Sequence, residues 1–155
     1  MNKQEFLTLC DHIFRDIGFA KHGKAYYLDL GSDIVGSIYF QSSCYGKTIY
    51  INCGFSLKNY NDQLPYPKYC DTNMDSRIAI PGKEKLSNKP DAYRYLTNAI
   101  KYEHYNDDEI ETGIINELKM WVIPAIRNGL SYILVHEEYY GVMVRAARIL
   151  GRIPE

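Results

Sequence analysis

An α+β fold is predicted, with an antiparallel three- or four-stranded meander, an N-terminal helix and a helical C-terminal half. Three observations predict it. Residues 34–57, IVGSIYFQSSCYGKTIYINCGFSL, are two alternating runs joined by a Tyr-Gly turn. Strict alternation is the mark of paired strands with one buried face. Residues 3–17 instead carry apolar side chains at helical spacing, and so does the chain after Asn106. Strands followed by helices segregate the two kinds of element, as in α+β domains.

The elements follow in order. In the first helix Phe6, Leu9, Cys10, Ile13 and Ile17 form one stripe. Gly18 is its expected left-handed C-terminal cap, with Phe19 folding back on the last turn. Ala25–Leu30 reads as the first strand, closed by the turn signal Gly31-Ser32-Asp33. In the two alternating runs, Ile38, Phe40, Ile49, Ile51, Cys53 and Phe55 are expected to face the core. Residues 58–75 lack periodicity and read as a long loop. Ser76–Ile80 reads as a short fourth strand, ended by Pro81-Gly82. Lys83–Lys89 reads as a polar connector and Pro90–Tyr102 as a helix. The acids after Asn106 suit the positive end of a helix dipole. Ile110, Ile114, Leu118, Trp121, Val122 and Ala125 are that helix's expected buried stripe. Pro124 is expected to disturb its hydrogen bonding, and Asn128-Gly129 to end it. Ser131–Tyr140 reads as a further helix, broken at Gly141, and Val142–Leu150 as the last. No internal repeat or linker divides the chain, so one domain over residues 1–155 is expected.

Composition narrows the function. The chain has 155 residues, 46% hydrophobic and 24% charged, with a net charge of −1. That balance suits a globular domain and gives no field favouring nucleic acid or an anionic membrane. The N-terminus carries charges throughout and does not read as a signal peptide, and no window is long enough to span a bilayer. The spacing of Cys10, Cys44, Cys53 and Cys70 fits no zinc knuckle. Reduced thiols and a cytoplasmic location are expected. Tyrosine is the exception, with 15 copies. It offers large contact area at low entropy cost and keeps a polar tip.

The tyrosines bear on the sheet face opposite the core. Val35, Ser37, Tyr39, Gln41, Tyr50 and Asn52 should line it. Amides and phenols together can hydrogen-bond a peptide or a polar ligand. Tyr39, Gln41, Tyr50 and Asn52 are therefore the candidate partner-binding residues. The competing reading is a face that only keeps the protein soluble, or one hydrogen-bonded to a covering loop.

Motifs for catalysis are weak by comparison. His136-Glu137-Glu138 is the densest titratable cluster, yet adjacent helix positions point apart. A zinc motif of the HExxH type would need histidine where Tyr140 stands. His104 with Asp107, Asp108, Glu109 and Glu111 lacks the pattern of a calcium loop, and capping explains the acids more simply. Arg145, Arg148 and Arg152 form a basic stripe that reads as a solvated face. No phosphate-binding loop, dinucleotide fingerprint or nucleophile elbow is present. Cys44 lies in a turn without a recognisable histidine partner. No catalytic residue, metal ligand or cofactor is assigned, and the balance leans away from an enzyme.

The order of features resembles the uncharacterised bacterial family called domain of unknown function 4304. The resemblance rests on Gly18-Phe19 after an amphipathic helix, Tyr26-Tyr27, Phe40-Gln41-Ser42-Ser43 and Tyr50-Ile51-Asn52-Cys53-Gly54-Phe55. Arg77 and Val122-Ile123-Pro124-Ala125-Ile126 extend it, while residues 81–105 carry no matching motif. The family name implies no activity. Small intracellular families of this sort sometimes stand beside secreted toxins as immunity proteins. The expectation is thus a non-catalytic interaction protein with one protein partner, such as an immunity protein or toxin inhibitor. The alternatives are a small-molecule or peptide binding module and, behind it, a hydrolytic enzyme.

Overall fold

The computed structural model describes residues 1–83 and 95–154. Helix α1 spans Lys3–Ile17, and local chemistry fixes both its ends. Asn2 Oδ1 accepts the Glu5 N–H at 2.8 Å, and Glu5 Oε2 accepts the Asn2 N–H at 2.8 Å. This reciprocal cap satisfies two of the orphan donors of the first turn. At the other end Gly18 takes φ 120°, a conformation costly for any side chain with a Cβ. Phe19 then donates its N–H to the Phe14 carbonyl, and the two rings meet edge to face at 6.2 Å.

Five strands follow as an antiparallel meander in the order β1-β2-β3-β4-β5. They are β1 (Ala20–His22), β2 (Ala25–Asp29), β3 (Ile34–Ser42), β4 (Ile49–Leu57) and β5 (Met74–Arg77). The meander is as predicted, but it carries two differences. Strand β1 was not expected; it is three exposed residues joined to β2 through Gly23 at φ 63°. The last strand is Met74–Arg77 rather than Ser76–Ile80. A separate two-stranded ribbon pairs β6 (Ile80–Pro81) with β7 (Leu96–Thr97).

Residues 95–101 are not helical, contrary to the helix expected over Pro90–Tyr102, and Tyr102–His104 form only a 3-10 turn. Leu96 and Thr97 pair with Pro81 and Ile80, and Ile100 bridges to Ile49. Cross-chain pairing here overrides a weak local pattern. The remainder of that expected helix, and the connector beyond Lys83, lie outside the described residues.

Helices α2 (Asp107–Glu117), α3 (Ile123–Asn128), α4 (Leu130–Val135) and α5 (Glu137–Ile149) complete the chain. Asn106 and Glu109 repeat the reciprocal cap of α1. A π-helical turn, Leu118–Val122, joins α2 to α3, with the Ile123 N–H reaching back to the Leu118 carbonyl. Pro124 explains it, because it has no N–H for the carbonyl one turn earlier. The expected break at Gly141 falls instead at His136 (φ −106°, ψ 65°), and Gly141 is buried inside α5. His136 Nδ1–H donates to the Tyr132 carbonyl at 2.8 Å and its ring stacks on Tyr132, which closes α4 before α5 begins. No helix is long and apolar enough to cross a membrane among the described residues.

The helices cover one face of the sheet. Tyr26, Ile38 and Cys53 share a cross-strand row on that face. Phe14 of α1 packs on Tyr26 with ring centroids 5.2 Å apart. Trp121 meets Phe55 at 6.2 Å, and Ile126 seats on the bare backbone of Gly36. Phe40 is only partly buried at the rim of this core, not fully enclosed as expected, and packs against Phe6, Phe14 and Tyr26.

A Cβ at Gly36 would overlap the Ile126 side chain. Gly36→Val is therefore expected to lower stability by about 1–3 kcal/mol through overpacking. In the Ile126→Ala background the same change should cost clearly less, since the clashing atoms are gone. Urea melts of the four proteins in this double-mutant cycle check the coupling. Additive losses would mean Ile126 does not seat on Gly36.

Candidate partner-binding site

The second sheet face is shared between a covering loop and a polar cluster that reaches solvent through Gln41. Residues 58–73 lie across part of it. The Tyr27 hydroxyl donates to the Pro67 carbonyl at 3.1 Å, and the Tyr39 hydroxyl donates to the same carbonyl. Tyr66 stacks on His22 with centroids 3.6 Å apart. Thr72 fits against Gly54, where a Cβ would come within 2.5 Å of its methyl group. Asn73 ties the end of the loop down. Its Oδ1 accepts the Leu57 N–H at 2.9 Å, and its Nδ2 donates to the Arg152 carbonyl at 2.7 Å. A loop without periodicity is thus held by its backbone carbonyls and short polar side chains, the groups such a segment has available.

Beyond the loop, four residues from three strands converge. Arg77 of β5 stands opposite Asn52 of β4, and Asn52 stands opposite Tyr39 of β3. Gln41 of β3 stands opposite Tyr50. Arg77 Nε donates to Asn52 Oδ1 at 3.0 Å, and one terminal nitrogen donates to Gln41 Oε1 at 3.3 Å. Asn52 Nδ2 donates to the same Gln41 oxygen at 3.1 Å. The guanidinium carbon lies 4.1 Å from the centre of the Tyr50 ring, a cation–π distance. Asn52 is 1% exposed, and each of its amide atoms has a partner, as a buried amide requires.

The sequence-predicted residues therefore divide into two layers. Gln41 is exposed and Tyr50 half-buried, so both present groups to solvent. Asn52 lies beneath them as a hydrogen-bonding hub. Tyr39 is half-buried and turned to the loop, with its ring against Tyr27 and Tyr69. Burial pushes its phenol well above the usual tyrosine range. Tyr39 acts in this arrangement as a strut between sheet and loop.

Arg77 is the residue that site reasoning from the sequence missed. It was visible only as a residue shared with the family pattern, and its partners are far away along the chain. Its electrostatics are unusual. Among the described residues, no carboxylate forms an ion pair with it. Asp75, two residues earlier on the same strand face, lies 3.9 Å from Arg152 instead. Arg77 is held by two neutral amide oxygens and an aromatic face, so its charge is oriented but not neutralised. A planar guanidinium in that state is suited to a carboxylate or carbonyl from outside.

The other candidates do not assemble. The described contact of the His136 ring nitrogen is with the Tyr132 carbonyl. Of the acids after Asn106, Glu109 is engaged in the cap, its Oε1 accepting the Asn106 N–H at 3.3 Å, and it also pairs with Lys83. Among the described residues, no group of three or more His, Cys, Asp or Glu is placed to hold a metal ion. Cys10 and Cys53 are buried, which pushes their thiols up, while Cys44 and Cys70 are exposed.

The family model for "Domain of unknown function (DUF4304)" matches residues 10–122, well over half of the chain. The chain belongs to this family. The DUF4304 match begins within α1 and ends with the π-helical turn, so it contains the whole meander, the covering loop and Arg77. No curated protein matches the chain, and no solved structure does.

Proposed function

We propose that this protein is a non-catalytic, intracellular interaction protein that binds one protein partner, in the manner of an immunity protein or toxin inhibitor. The contact surface is the cluster of Tyr50, Gln41 and Arg77. Asn52 orients Arg77 from below, and Tyr39 fixes the neighbouring loop. The observation that carries this reading is the unneutralised Arg77, pre-positioned by Asn52, Gln41 and Tyr50 at an accessible sheet edge. Arg and Tyr are the residue types most enriched among interface hot spots. Pre-positioning lowers the ordering cost of binding, because the guanidinium is already oriented.

The test uses a partner recovered by pull-down with the full chain, in calorimetric titration. Arg77→Ala and Tyr50→Ala are each expected to weaken binding by at least about 2 kcal/mol, roughly thirtyfold in Kd. Tyr45→Ala, at the exposed hairpin tip, should leave it unchanged. Tyr39→Ala is a poorer probe, since it also releases the loop from the sheet. Unchanged affinity in both Arg77→Ala and Tyr50→Ala would remove this surface from the interface.

A further inference from the structure

Helix α5 carries two apolar stripes, and only one is used. Tyr140, Met143, Val144 and Ala147 are buried against the rest of the chain. A second stripe is left in solvent. Tyr139 is 49% exposed, Val142 77%, Ile149 85% and Leu150 63%, and Ala146 is exposed between them. At about 100° per residue these five positions fall within an arc roughly 100° wide. Tyr139, Val142, Ala146 and Ile149 follow the alternating three- and four-residue steps of a helix–helix seam. Solvated helix faces do not normally collect their largest apolar side chains in one line.

We infer that this stripe is the interface of an antiparallel homodimer, formed by α5 of one chain against α5 of a second copy. The charges beside the stripe select that occupant. Glu138 and Arg145 are seven residues apart, two turns of helix, so both lie on the same flank. Among the described residues neither forms an ion pair. A two-fold axis perpendicular to the helix, near Val142, brings that flank against its own copy in reverse. Glu138 then meets Arg145 of the second chain, and Arg145 meets its Glu138. The same register sets Val142 against Val142 and Tyr139 near Ala146. One flank thus satisfies both charges at the register that closes the apolar seam. Such self-complementarity is what an isologous interface demands. A parallel pairing would bring this flank to the opposite side of the partner helix and leave both charges unmatched.

The seam is short, since 13 residues of helix span only about 20 Å. The dimer is accordingly at the weak end of specific interfaces, dissociating on dilution in the micromolar range.

Sedimentation equilibrium of the full chain, from about 5 to about 500 µM, tests this. The wild type is expected to pass from monomer to dimer within that range. Val142→Glu places a charge on the two-fold axis and should keep the chain monomeric throughout, with an unchanged thermal melt at concentrations where the wild type is also monomeric, because the site is exposed in the single chain. Glu138→Arg and Arg145→Glu should each weaken self-association by at least about tenfold, through like charges across the seam. Mixing these two single variants should restore a dimer, because each chain then supplies the charge the other lacks. A wild type that stays monomeric at the highest concentration would overturn the inference. So would a dimer that survives Val142→Glu, or a mixture of the charge variants that associates no better than either alone.

Discussion

Trp121→Ala is expected to cost about 3–5 kcal/mol, the largest single loss in the C-terminal half. Trp121 is 7% exposed and packs edge to face on Phe55 at the centre of the sheet. Its removal leaves a void that the π-helical turn cannot close, because Pro124 constrains the backbone just after it. Polar consequences add to the cavity. The indole N–H donates to Glu117 Oε2 at 2.7 Å, while Glu117 Oε1 accepts the Ala79 N–H at 2.8 Å. Trp121 thereby holds the carboxylate that ties α2 to the segment between β5 and β6. A melting temperature lower by about 10 °C is the expected reading, at roughly 2–4 °C per kcal/mol for a chain of this size. Trp121→Phe should recover part of the packing but not the bond to Glu117. A melt of Trp121→Ala within a degree or two of wild type would mean the indole does not fill this site.

Phe14→Ala is expected to cost a similar amount at the other end of the sheet, again about 3–5 kcal/mol. Phe14 has no exposed surface and its ring touches those of Phe19, Tyr26 and Phe40. It joins α1 to β2, to β3 and to its own C-terminal cap. Truncation would remove the contact that folds Phe19 back over Gly18, so the last turn of α1 should also fray. Phe40→Ala offers the internal comparison. Phe40 belongs to the same cluster but stands at its rim, half-buried, and solvent can enter the space its ring vacates. It should cost clearly less than Phe14→Ala. Paired urea melts would show the order, and a reversal would place Phe40 rather than Phe14 at the centre of this cluster.

How much of this was legible depended on the reach of each interaction. Helix α1 is legible to the residue because its apolar stripe from Phe6 to Ile17 and its Gly18 terminus are both local requirements. The faces of β3 and β4 were readable because side chains alternate along a strand whatever surrounds it. Strand β1 was not, since Ala20, Lys21 and His22 are all exposed and show no alternation. The segment after residue 95 departs from the expected helix because Leu96, Thr97 and Ile100 take their partners from β6 and β4. The break near Gly141 was misplaced because it depends on a side chain, His136, capturing a carbonyl one turn earlier.

The candidate site shows the same division. Tyr39, Gln41, Tyr50 and Asn52 were placed on one face by period-two alternation alone, and they share that face in the structure. Alternation could not say which of them reaches solvent. That was decided by residues 58–73 settling over Tyr27, Tyr39 and Gly54, and by Arg77 arriving from β5 to bond Asn52 and Gln41, 25 and 36 positions away. Local periodicity sets the direction of a side chain, because it depends only on backbone geometry. What lies over that side chain depends on distant segments whose own sequences carry no period, and only the folded chain brings them together.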